Sequence, residues 1–205
     1  MAVLVEGLTI QPVPPDFQPG GFSCGEQEVD EYLAEIALRD ELAGVTRTSV
    51  VRDSDAVVAF VSVLTDSIEL DLGERPVPHP TAPALKLGAM GVRTDYKKKD
   101  FQGRTLGVWL LDWVVGLAWT LSAQAGLRYV TLDSLPKEKL VSWYEKYGFK
   151  KNVGETQARQ ILKHARAKSR SVKDKKVEEM VLSTVSMRYD IRLKPEVAAA
   201  AIGAV

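Results

Sequence analysis

The sequence predicts an α+β fold with a mixed, mostly antiparallel central sheet and helices on both faces. Three observations carry this. Two runs rich in β-branched residues, at 45–53 and 56–70, and a third strand-like run at 84–92 stand together in the first half of the chain. Stretches with apolar residues at helical spacing, at 24–44, 103–124 and 137–149, break into the strands without alternating one for one. The resulting order is strand, helix, three strands, helix, strand, helix, strand, which is a mixed pattern. With 205 residues, 45% of them hydrophobic, the chain can bury one sizeable core. A single domain over 1–205 is expected, with a basic helical insert at about 150–180.

Taken in order, the Pro- and Gly-rich start through Gly21 reads as a strand and a loop. The helix at 24–44 places Val29, Leu33, Ile36 and Ala37 on one face. Asp53, Ser54 and Asp55 separate two β-branched runs and predict a hairpin. Four prolines between Pro76 and Pro83 force an extended loop. The strand at 84–92 carries Gly88 and Gly91, and interior glycines mark a bulge or a close approach. A long helix from about Gly103 to Gln124 follows, then a strand at 128–135. The helix at 137–149 is ended by Gly148. A basic helical stretch leads to a final alternating strand at 183–193, and an Ala-rich tail follows Pro195.

Composition narrows the possible functions. Lys+Arg and Asp+Glu both number 27, yet residues 150–176 hold ten Lys/Arg against Glu155 and Asp174, a local excess of eight. Arg159, Lys163, Arg166 and Arg170 fall on one stripe if that stretch is helical, which predicts a contact to RNA phosphates. Cys24 is the only cysteine, so no internal disulfide is possible and a cytoplasmic, reducing setting is expected. His79 and His164 are the only histidines, and no metal site is expected. The N-terminus shows no export signal. Between Leu106 and Leu127 the one charged residue is Asp112. That length could span a bilayer, but an Asp near mid-span costs about 2.5–3.5 kcal/mol. A buried helix is expected, and no membrane partner.

The segment from Lys97 to Gly107 predicts an anion site. A strand, a glycine-containing turn and a long helix leave the first helical N–H groups without intrahelical partners, in positive dipole potential. Gln102, Gly103, Arg104, Thr105, Leu106 and Gly107 form the turn, with Lys97, Lys98 and Lys99 adding charge. No Lys-Ser/Thr pair follows, so this is not a Walker loop, and G-x-G-x-x-G does not match.

"FQGRTLG" resembles the acetyl-CoA pyrophosphate loop of the GNAT family of N-acetyltransferases, [QR]-x-x-G-x-[GA]. "GAMGV" looks like that family's bulged strand, and "WYEKYGF" resembles its "FYEKxGF" element. "FSCGEQEVDEYL", at 22–33, is similar to the opening helix of a subgroup that includes tRNA-acetylating toxins of toxin–antitoxin pairs. The similarity covers about 21–150 and resumes near Ser183. Two departures stand out: Thr105 replaces the middle glycine of the loop, and "YKKKD" lengthens it.

The resemblance implies a GNAT-type sheet and acetyl-CoA as co-substrate. It also implies transfer to a primary amine, with the α-amino group of an aminoacyl-tRNA as the acceptor that the toxin subgroup suggests. Acetylation of a protein or small-molecule amine is the alternative, as is a non-catalytic acyl-CoA- or nucleic-acid-binding protein of the same fold. Met90, Gly91 and Val92 would engage the pantetheine and thioester, with an N–H of Gly91 or Val92 as oxyanion donor where the strand bulges. Tyr144 would be the general acid. Asp133 and Ser134 could relay a proton or cap the next helix, and Cys24 is expected to be structural. An antitoxin protein and a second copy of the chain are the implied protein partners.

Overall fold

The computed structural model describes residues 2–5, 7–70, 73, 79–152 and 184–193. They divide into two compact units, one running to Val130 and taking up the chain again from Ile191, the other running from Thr131 to Asp190.

The first unit opens with two strands where one was expected. β1 (Ala2–Val5) and β2 (Leu8–Pro12) form a hairpin whose turn holds Gly7 at φ 79°. β2 pairs antiparallel with β3 (Arg47–Asp53), and β3 with β4 (Ala56–Glu69) through the expected turn, with Ser54 at φ 52°. β4 pairs antiparallel with β5 (Thr81–Val92). Every residue of β4 from Val57 to Val63 is buried. Such a run marks a central strand covered on both faces.

One cover is the helical segment after residue 26. It begins at Gln27, three residues later than expected, and is not uniformly α. α1 (Gln27–Glu31) passes through a π-turn (Tyr32–Ile36) into α2 (Ala37–Leu42). Residues 24–26 are occupied by a turn instead. Asp30 Oδ1 accepts from the Cys24 N–H at 2.7 Å, and Asp30 Oδ2 from the Ser23 hydroxyl at 2.8 Å. Leu33 and Ala37 bury against Phe22, Val50, Val57 and Phe60.

The other cover is α3 (Leu106–Ala125), which packs on β1, β4 and β5. Leu106, Leu110, Leu111, Val114, Val115 and Ala118 are its fully buried stripe. Each large aliphatic side chain there contributes about 1.5–3 kcal/mol. The helix is long and apolar enough to cross a membrane by length and composition, and half of its most apolar window lies inside the protein.

β8 (Tyr129–Ser134) starts in the first unit and ends in the second. Tyr129 joins Ile68, Leu70, Ala82 and Ala84 in a small cluster. In the second unit β8 neighbours β10 (Val185–Asp190), which pairs antiparallel with a short β9 (Lys150–Lys151) that the sequence did not announce. α4 (Glu138–Tyr147) ends at Gly148 as expected, with φ 127°. The basic stripe of Arg159, Lys163, Arg166 and Arg170 lies outside the described residues.

The two glycines of β5 have separate roles. Ser62 pairs with Ala89 and Val63 with Leu87, so Gly88 is the extra residue of a bulge. The bulge therefore sits three residues before Gly91, not at it. A Cβ on Gly91 would lie 2.7 Å from Phe60 Cε1 and 3.1 Å from Phe22 Cζ, so what approaches there is the aromatic core. Gly91→Ala is expected to cost about 1–3 kcal/mol by overpacking, measured by urea unfolding. Gly88→Ala should cost less, because the atom met is the end of the Leu64 side chain at 2.9 Å.

Candidate active site

The sequence-predicted binding residues of the first unit follow one another along β5, a 3₁₀ turn (Thr94–Tyr96), a hairpin and α3. The hairpin was not expected. β6 (Asp100–Phe101) and β7 (Arg104–Thr105) pair across Gln102 and Gly103, at φ 58° and 80°. Two positive φ values make this a type I′ turn. Asp100 Oδ1 accepts from the Gly103 N–H at 2.8 Å. The long helix consequently begins at Leu106 rather than Gly103. The residues that lengthen the loop build this hairpin and the turn before it.

Thr105 is the N-cap of α3, with φ −81° and ψ 154°. That is ordinary extended backbone, so threonine in the glycine position brings no backbone strain. Its hydroxyl caps nothing, and no other side chain does. The opening amides of α3 therefore have no side-chain acceptor, in positive dipole potential, with the half-exposed Gly107 in the first turn.

Arg104 was expected to add charge for an anion, but its guanidinium is already engaged. It pairs with Asp112, whose side chain is 8% exposed, and stacks over Trp109 at 5.1 Å. Trp109 in turn donates from Nε1 to the Phe101 carbonyl at 3.1 Å. Of the lysine cluster, Lys99 is held over the Tyr96 ring at 3.4 Å, while Lys97 and Lys98 are exposed. Tyr96 is itself fixed, stacked on Phe101 and hydrogen-bonded to Asp53.

The two candidates for an oxyanion donor, Gly91 and Val92, differ in the direction of their N–H groups. In an antiparallel ladder, N–H groups turn alternately toward and away from a given neighbour. The Arg93 N–H donates to the Val58 carbonyl at 2.8 Å, and Phe60 pairs with Gly91 in the same phase. Gly91 thus turns its N–H into β4, whereas Met90 and Val92 turn theirs to the other edge. Of Gly91 and Val92, Val92 has the suitable direction.

In the second unit, Tyr144 lies on the buried side of α4 with its ring against Trp143 at 4.9 Å and Phe149 at 5.6 Å. Burial pushes its phenol up to about 12. It stays protonated at neutral pH, so it can give a proton but not take one. Tyr147 belongs to a ring cluster with Phe149 and Tyr189. Neither Asp133 nor Ser134 caps α4. The N-cap is Lys137 without a side-chain bond, and the Ser134 hydroxyl donates to the Leu135 carbonyl at 3.0 Å. Cys24 is buried with its thiol toward the Glu26 carbonyl, in keeping with a structural role. Among the described residues no group of three His, Cys, Asp or Glu could hold a metal.

No family model matches the sequence. Solved structures do. A tyrosine-to-phenylalanine mutant of KacT matches with TM-score 0.69 and 17% identity, over 93% of this chain and 99% of that one. AtaT complexed with acetyl-methionyl-tRNAfMet matches with TM-score 0.67 and 16% identity, over 92% and 98%. An AtaT mutant toxin bound to acetyl-CoA and the C-terminus of the antitoxin AtaR matches with TM-score 0.65 and 16% identity, over 92% and 96%. The fold is the one these proteins share. The α+β architecture expected from the resemblance is therefore present, and at this identity the likeness concerns the fold alone.

Arg104→Met removes the cation that meets the buried Asp112 and should cost about 3 kcal/mol, toward the lower end for a buried pair because Arg104 is 40% exposed. Adding Asp112→Leu should recover most of it, so a double-mutant cycle read by denaturant unfolding checks the coupling. A second expectation concerns pH. Burial first, then the hydrogen bond to Asp30, pushes the Cys24 thiol up to about 11 from its usual 9. A raised folded-state value favours the protonated fold, so this contribution is full below pH 9 and is lost as pH climbs toward 11. Cys24→Ala should flatten the stability profile across that window.

Proposed function

We propose that the protein transfers an acetyl group from acetyl-CoA to a primary amine, and that the amine is the α-amino group of an aminoacyl-tRNA. The observation that carries this is the run from β5 to α3. A strand edge presenting the Val92 N–H leads through a type I′ hairpin to an uncapped start of a 20-residue helix. The fold likeness to AtaT bound to acetyl-CoA and to acetyl-methionyl-tRNAfMet supports the same reading. The likeness to AtaT bound to the antitoxin AtaR supports a partner antitoxin, and the single cysteine accords with the cytoplasmic setting that we infer.

Acetyl-CoA supplies the activated acetyl thioester. The amides at Leu106 and Gly107 would hold its pyrophosphate, with Gln102 and Gly103 shaping the turn and Thr105 extended at the cap. Arg104 acts here by fixing the turn onto Asp112. The Val92 N–H would face the oxygen on which negative charge develops, a term whose removal typically costs about 10²–10³ in rate. Tyr144 holds a proton for the departing sulfur, and its high proton affinity keeps that proton in place until thiolate appears. The amine acceptor must arrive neutral.

Tyr144→Phe removes the hydroxyl and keeps the ring among Trp143 and Phe149. It should lower kcat by about 10²–10⁴ with acetyl-CoA affinity intact. Thiol release is measured with charged tRNA, then with small amines and proteins as acceptors. Turnover on the latter two alone would move the acceptor to the alternative class, and acetyl-CoA binding without turnover on any amine would make the protein a sensor.

A further inference from the structure

α4 has a second face that catalysis leaves unused. While Val141 and Tyr144 turn inward, Lys139, Ser142, Trp143 and Lys146 follow at i, i+3, i+4 and i+7 and so share one side. Together with Glu138 they line an open concavity of about 400 Å³. Lys139 and Lys146 are exposed, and the half-exposed indole stands between them. Two acids are near: Glu138 at the start of the helix, set against the two lysines, and Glu145, which is paired with Lys151 at 2.8 Å.

We propose that this face binds the unpaired end of an RNA, one base stacking on Trp143 and the flanking phosphates meeting Lys139 and Lys146. The chemistry favours this occupant. An indole face accepts any base by stacking, worth about 1–3 kcal/mol per base, and cations on either side suit a backbone that carries a charge at every nucleotide. Trp143 is partly open to water between two exposed lysines while Val141 and Tyr144 on the other side of the helix are buried, so part of the indole is available to a ligand. The proposal deepens the aminoacyl-tRNA reading by naming where the substrate's single-stranded part is held. Trp143 also touches the Tyr144 ring at 4.9 Å, so a base held there sits one side chain from the proposed acid.

The test uses the full chain without acetyl-CoA and a fluorescein-labelled single-stranded hexaribonucleotide, followed by anisotropy at several salt concentrations. Trp143→Ala should weaken binding about 5- to 150-fold, the stacking range above converted at 1.4 kcal/mol per tenfold. Trp143→Phe keeps a ring and should retain most of the affinity. Lys139→Ala and Lys146→Ala should each lower the salt slope by about 0.7. Should Trp143→Ala fail to fold, the two lysine variants still decide through their salt slopes. Unchanged affinity in a folded Trp143→Ala, or unchanged slopes in both lysine variants, would overturn the proposal, as would capture of an acidic peptide with no RNA binding. Failure of the acetyltransferase reading is recorded separately, as absence of thiol release by the unaltered protein.

Discussion

The ion pair between Arg104 and Asp112 is the constraint on which the functional half of the first unit depends. A carboxylate inside an apolar helix is costly unless a cation meets it, and the cation comes from the strand just before the helix. The pair therefore sets where β7 stops and α3 starts. Trp109 adds a second tie by stacking under Arg104 and bonding Phe101 on the other arm of the hairpin. With both ties made, the opening amides of α3 and the positive-φ turn stand in fixed register. A loop held by side chains that face inward leaves its backbone for a ligand.

Much of this was legible in the sequence. The strand runs, the three helices and the order of elements follow from apolar spacing and β-branched composition. The candidate anion site was suggested by the coincidence of glycines, cations and a helix start. Asp112 itself was a signal, since a lone acid in a long apolar run needs a partner, but Arg104 read as a cation for the ligand. Charges counted along the chain do not show which of them meet a partner in space, as Arg104 meets Asp112.

Other parts were hidden for physical reasons. The hairpin at 100–105 has arms of two residues, too short for alternation to be seen, and Gln-Gly is not the usual pair for a type I′ turn. Asp100, accepting from Gly103, was the available hint. The bulge could be narrowed only to Gly88 or Gly91, because a close-packed Phe60 and a ligand demand the same absence of a side chain. Nothing local marks Asp30 as the acceptor for Ser23 and Cys24, six or seven residues away across a turn.

The π-turn at Tyr32–Ile36 has a consequence for how this chain tolerates change in length. A wide turn is one residue more than an α-helix needs, so the segment from Gln27 to Leu42 carries an insertion inside a continuous helix. Leu33 lies within the wide turn and Ala37 just after it, and both bury against the same cluster. Losing one residue there would restore a regular helix with both ends in place, whereas regularising it at the same length would swing everything after it by about 100° around the axis. Ala37 would then leave its socket, and Glu41 would leave the Thr48 N–H and the Arg47 guanidinium that it now joins at the start of β3. The length of this helix is thus set by its two ends being anchored independently, one at Asp30 and one at Glu41.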